Sequence, residues 1–206
     1  MSARAVSVVT GGTSGIGQAL AIAFARRGDH VVVVGRNPER LAETARLLAE
    51  AGPGRHLALS GDVGKPEDMT AMARACSDHF GRVDVLVASA GIGASEGDAR
   101  RLPPPTKDLA LSEWQTVVDV NVHGVFLANM AVLPMMKAQG SGAIVNICSS
   151  TTPYGLRGRP LAPAYCATKF AMAAFTRALA DDVAADGISV SAVYPGSVKT
   201  PLIENT

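Results

Sequence analysis

Short, continuous apolar runs rich in valine recur along the chain, and between them lie longer segments with helical periodicity. An apolar run that lacks a polar residue at every second position is the pattern of a strand buried on both faces of a parallel sheet. Val6–Val9 fits it, and Val31–Val34, His56–Ser60, Val83–Ala88, Ala143–Ile147 and Ile188–Val193 read as further strands. Helices are predicted between them at Gln18–Arg27, Pro38–Ala51, a segment opened by Pro66 and closed at Phe80-Gly81, a long segment opened by Ser112, and Ala164–Asp182. Proline at a first turn and glycine past a last one mark these ends. Ser112 with Gln115 reads as a capping box, and Pro134 predicts a kink or an early end to the long helix. Gly93–Leu111, with Pro103-Pro104-Pro105 and Arg100-Arg101, has no periodicity and reads as an unusually long exposed loop. Strands and helices alternate throughout, which implies an α/β fold: a Rossmann-type three-layer sandwich with a doubly wound, mainly parallel sheet, in one domain over residues 1–206.

Val117–Met130 and Phe170–Leu179 are apolar on nearly every helical face. One domain covers only part of such a helix. The segments around 112–139 and 164–186 are therefore expected to form a subunit interface, in a homodimer or homotetramer. The 48% apolar content of the 206 residues suffices for a substantial core. A net charge of +1 without a charge run speaks against nucleic acid or an anionic membrane as partner and points to a small molecule. Ala5–Val9 is too short for a signal-peptide core or a membrane span. Cys76, Cys148 and Cys166 and the four scattered histidines lack metal-ligand spacing, so the expectation is a cytoplasmic protein with reduced thiols and no metal.

The candidate chemistry lies at the carboxyl ends of the predicted strands. In Thr10-Gly11-Gly12-Thr13-Ser14-Gly15-Ile16-Gly17 the glycines allow a tight turn and close approach of backbone amides to a pyrophosphate, which the following helix N-terminus favours. A strand, a glycine turn and a helix in that order predict dinucleotide binding. Where such a fold reads the adenosine ribose, Gly35-Arg36-Asn37 offers an arginine in place of the usual acid. Arginine pairs with a 2′-phosphate, so NADP(H) is expected over NAD(H); the competing reading is a solvated Arg36 ahead of a helix capped by Asn37. Asp62, followed by Val63, either accepts from the adenine amino group or simply forms a turn. Ser89-Ala90-Gly91 supplies small residues against which a cofactor fits. Tyr165 and Lys169 share a helical face, and a nearby ammonium lowers a phenol's pKa, making Tyr165 a candidate acid-base group.

Thr10-Gly11, Gly15 and Gly17, with Asn121, Ser149, Tyr165, Lys169, Pro195-Gly196 and Thr200, resemble the short-chain dehydrogenase/reductase family over essentially the whole chain. The resemblance implies an NAD(P)-dependent oxidoreductase interconverting a ketone and a secondary alcohol. By position it makes Tyr165 the proton donor in reduction, and Lys169 the group that lowers its pKa and bonds the nicotinamide ribose. Ser149 would hold the substrate oxygen and Asn121 a water that connects Lys169 to solvent. Pro195, Gly196, Val198 and Thr200 would border the nicotinamide, Val198 and Thr200 contacting its carboxamide. Three departures stand out. The family's Asn-Asn-Ala-Gly is Ala88-Ser89-Ala90-Gly91 here. The segments before Trp114 and between Ser149 and Tyr165 are longer than usual, the second carrying Arg157 and Arg159, which are solvated or meet an anionic carrier. A substrate lid, helix and last strand are expected after Thr200, and the sequence stops at Thr206. An NAD-dependent alcohol dehydrogenase and a non-catalytic NADP-binding module are the alternative readings.

Overall fold

The structure, a computed structural model, describes residues 4–93, 106–150 and 163–200. Its strands are β1 (Val6–Thr10), β2 (His30–Gly35), β3 (His56–Ser60), β4 (Val85–Ala88), β5 (Gly142–Ile147) and β6 (Ile188–Val193). They form one parallel sheet in the order β3-β2-β1-β4-β5-β6. The order reverses between β1 and β4, which opens a crevice at the carboxyl ends of those two strands. The helices are α1 (Gly15–Arg27), α2 (Pro38–Ala51), α3 (Pro66–Phe80), α4 (Leu111–Val118), α5 (Gly124–Gln139) and α6 (Pro163–Val183).

The pleat explains why the central strands β1, β2 and β4 read as mostly apolar runs. Val8, Val32, Leu86 and Ile144 point to one face and pack with Met69 and Met72 of α3, Val132 and Met136 of α5, and Leu179 of α6. Val9, Val31, Val33 and Val87 point to the other and meet Ala21 and Ala25 of α1 and Leu41 and Leu48 of α2. Buried on both sides, neither face can alternate with polar residues.

Besides α1 starting at Gly15 rather than Gln18 and one-residue shifts at other ends, the structure departs from the sequence expectations in four places. β4 starts at Val85, not Val83, because the Gln139 amide occupies both backbone groups of Val83 (Val83 N to Oε1 and Nε2 to Val83 O, each 2.9 Å). Helix α4 starts at Leu111 with Ala110 before it; Glu113 accepts from the Ala110 amide at 3.4 Å, while Gln115 donates instead to Asp119. Ser112 is therefore not the cap. Part of the expected loop is a 3₁₀ turn at Thr106–Asp108. Finally, α5 runs past Pro134 to Gln139, held by Val132, Leu133 and Met136 packed on both sides of the proline. What interrupts the long helix is a π-helical turn at Asp119–His123. Leu111–Gln139 as a whole is long and apolar enough to cross a membrane, yet much of it is packed inside this fold.

Candidate active site

The turn after β1 is compressed against the loop after β4. Gly11 has φ +65°, its amide donates to Val34 O at 2.9 Å, and a Cβ there would lie 2.7 Å from Ala90 Cα. A Cβ on Gly17 would run into the Gly11 carbonyl, so only glycine lets α1 start this close to the turn. Ser14 precedes α1 without a side-chain capping bond, and the first turn has no acid, which suits an anion at the helix's positive end. Thr10 is buried beneath the turn, and its carbonyl accepts from Ser89 N at 3.2 Å. Gly15 and Ile16 begin α1 behind it.

A cleft of about 570 Å³ runs outward from this turn. Gly11, Thr13 and Ser14 form its floor, Ala90 and Gly91 one wall, and Arg36, Asn37, Asp62 and Val63 its outer end. Asn37 caps α2 by accepting from Arg40 N at 2.8 Å. Asp62 makes a turn, one of its two readings, with Oδ1 accepting from Gly64 N at 3.0 Å, and its Oδ2 lies 3.6 Å from Arg36 Nη1. Arg40 is a second cation lining the cleft. Sequence reasoning passed over it, although a position in the first turn of a capped helix beside Arg36 was a usable signal.

The inner end is built from β4, β5, the π turn and α6. Asn121, at the centre of the π turn, is fully buried. The extra residue of such a turn sets its amide inward between Val120 and Val122. Its Nδ2 donates to Ile92 O at 2.9 Å and to Thr168 Oγ1 at 3.1 Å, and its Oδ1 accepts from Ile92 N at 2.9 Å. Lys169 is 5% exposed and donates from Nζ to Ile147 O at 2.8 Å. The same Nζ lies 5.7 Å from the centre of the Tyr165 ring, so the two side chains do share a face of α6. A Cβ on Gly91 would stand 3.3 Å from Asn121 Oδ1 and 3.5 Å from Lys169 Nζ; three of the expected residues thus meet in one small volume.

Burial lowers the Lys169 pKa from 10.5 to about 8. The Cys148 thiol would oppose this as an anion, but burial raises its own pKa, so it is neutral at neutral pH and burial of the lysine prevails. Ser149 is buried at the end of β5, where Cys148 N donates to Val193 O at 2.8 Å and Ser150 N to Pro195 O at 3.0 Å. Those bonds hold Ser149 beside the end of β6. Beyond Pro195, Gly196 and Val198 are exposed, Val198 by 41%, and Thr200 is half-buried, so this stretch is not packed into the inner site. Arg157 and Arg159 lie outside the described residues. Among the described residues no group of three or more metal-ligating side chains occurs.

The sites at the two ends of the crevice fit a dinucleotide: a glycine floor that a Cβ would fill, a helix N-terminus over it, cations outside and a Tyr-Lys pair inside. Comparison with known proteins agrees. Residues 5–206 match the family model described as short chain dehydrogenase. The chain is 39% identical over 200 residues to a 2-(R)-hydroxypropyl-CoM dehydrogenase of Xanthobacter autotrophicus, covering 97% of this chain and 76% of that one. Levodione reductase superposes with a TM-score of 0.90 at 32% identity, over 100% of this chain and 76% of that one. L-sorbose reductase from Gluconobacter frateurii, complexed with NADPH and L-sorbose, does so with a TM-score of 0.85 at 34% identity, over 97% and 72%.

Proposed function

The chain belongs to the short-chain dehydrogenase family, oxidoreductases that act on alcohols and ketones with a nicotinamide cofactor, and we propose that this member reduces a ketone to a secondary alcohol with NADPH. The observation that carries the proposal is the buried Lys169, set beside the Tyr165 ring and bonded to the end of β5 just before Ser149. When bound, the cofactor supplies the hydride. Gly11, Thr13, Ser14, Ala90 and Gly91 would hold its phosphates and nicotinamide half, and Arg36 with Arg40 its 2′-phosphate, which planar guanidinium groups suit. Tyr165 gives its phenolic proton to the carbonyl oxygen as that oxygen gains charge. Lys169, cationic below about pH 8, stabilises the phenolate left behind. Ser149 donates a hydrogen bond to the same oxygen, and Asn121 keeps the loop after β4 in place against α6.

NAD(H) is the second reading, and a specific contact favours it: Asp62 stands beside Arg36, and a carboxylate there disfavours a 2′-phosphate. A titration of the chain with NADPH and NADH decides between them. Preference for NADPH that falls roughly tenfold to a hundredfold in Arg36→Ala, with NADH binding unchanged, is the expected result; equal affinities would return the choice to NAD(H). Tyr165→Phe is expected to bind cofactor as wild type and to turn over orders of magnitude more slowly. Wild-type turnover in that variant would refute the role of Tyr165. The three cysteines, all free thiols, support a reducing compartment such as the cytoplasm. One domain would carry both cofactor and chemistry, in a homodimer or homotetramer.

A further inference from the structure

We infer that Thr168 is a positioning residue for the reaction, its hydroxyl transmitting the hold of the Asn121 amide to the backbone of Tyr165 and so setting where the phenol stands. Thr168 is 2% exposed; its Oγ1 accepts from Asn121 Nδ2 at 3.1 Å and donates to Tyr165 O at 2.8 Å. A hydroxyl has a single proton, so the two bonds form a directed chain from amide to hydroxyl to carbonyl.

A threonine in a helix often bonds a carbonyl of the preceding turn, and such a bond by itself signifies nothing. Thr70 does so to Pro66 O and Thr116 to Ser112 O, both on exposed faces. Thr168 differs in two respects. The carbonyl it reaches is that of Tyr165, and its lone pair accepts from another element, the π turn. Both Nδ2 protons of Asn121 are committed, one to Ile92 O and the other to Thr168, and Oδ1 accepts from Ile92 N. The amide is thus a strut between the loop after β4 and α6, and Thr168 is its point of contact on the turn that bears Tyr165.

The inference rests on the proposed role of Tyr165, and its test reads the phenol directly. Tyr165 ionisation is followed by ultraviolet difference titration, with Tyr165→Phe as the blank that removes the other tyrosines. In wild type the phenol should titrate below the ordinary tyrosine value of about 10. Thr168→Val keeps the side-chain shape and removes the hydroxyl. It should raise the Tyr165 pKa by about one unit, because a loosened Tyr165 turn lets the phenol move away from Lys169. Thr168→Ser restores the hydroxyl and should titrate as wild type. Asn121→Ala should shift the phenol as far as Thr168→Val, and the double variant no further, since both act through one chain of bonds. Thr176→Val is the structural control: this buried hydroxyl also accepts an amide hydrogen bond and donates along α6, but two turns farther on. It should lower the unfolding midpoint and leave the phenol unchanged. A Thr168→Val enzyme that titrates as wild type, or a Thr176→Val enzyme that shifts as much, overturns the inference. A wild-type phenol near 10 removes the role of Tyr165 and the inference with it.

Discussion

Lys169 is the residue at which stability and chemistry oppose each other. Its ammonium is nearly buried and its pKa is lowered from 10.5 to about 8 by loss of water. Below pH 8 the folded protein bears the full cost of the buried charge. Between about 8 and 10.5 the folded lysine is neutral while the unfolded one is still protonated. The unfolded state then binds more protons, so this group makes stability rise with pH across that window. On the proposed mechanism catalysis should run the other way, since a neutral Lys169 would no longer support a Tyr165 phenolate. Activity of the free enzyme is therefore expected to fall above about pH 8 as the contribution of Lys169 to stability grows. Lys169→Met should be inactive at every pH and, at neutral pH, more stable than wild type by up to roughly 3 kcal/mol, the lost bond to Ile147 O reducing the gain. Thermal unfolding of both proteins from pH 7 to 10 checks this. A less stable Lys169→Met at pH 7 would show that the ammonium is solvated in the folded protein.

The elements that carry this residue are joined by polar bonds inside an otherwise apolar core. Asn129 of α5 and Asn146 of β5, both fully buried, pair their amides through Asn129 Nδ2 to Asn146 Oδ1 at 3.0 Å and Asn146 Nδ2 to Asn129 Oδ1 at 3.4 Å. Asn146 also donates to Thr176 Oγ1 of α6 at 3.0 Å, so three elements around the site share one network. Replacing either asparagine by leucine leaves the other's buried amide oxygen without its donor, while its Nδ2 keeps the bond to Val125 O or Thr176 Oγ1, and is expected to cost about 2–3 kcal/mol in urea unfolding; the double variant should cost less than the two single losses combined. Additive losses would mean that the amides do not act as a pair. None of this pairing was legible in the sequence, because it joins residues that only the fold brings together. Elements with local signals were legible to the residue: α2 and α3 open on Pro38 and Pro66, and β3 and β6 end where the turn residues begin. The start of α4 was missed because Ala110 has no capping side chain and Glu113 supplies the bond from inside the helix. The π turn has no composition of its own. Only Asn121, a polar residue in an apolar run, hinted that the backbone there had to present a side chain inward.

At the scale of the whole molecule, α6 and the α5 helix that follows the π turn carry three of the large exposed apolar side chains among the described residues. Phe126 and Met130 of α5 are 45% and 37% exposed and Phe170 of α6 is 50% exposed, while Phe126 meets Phe175 edge to face at 5.9 Å. Exposed apolar side chains thus lie on both helices, and large exposed apolar residues of that kind are often covered by another subunit. Such an interface would bear on function, because the π turn runs directly into α5 and the Tyr165 turn into Phe170. A second copy packed there would restrain the residues on which Tyr165 and Asn121 depend. Analytical ultracentrifugation at micromolar concentration is therefore expected to show a dimer or tetramer. Charges placed in the surface by Phe126→Glu with Phe170→Glu should yield a monomer that stays folded by circular dichroism and loses turnover by about tenfold or more, through displacement rather than removal of its reacting groups. A wild-type monomer at that concentration would refute the interface. A variant monomer with full turnover would leave the interface standing and show that each subunit holds its own site without help.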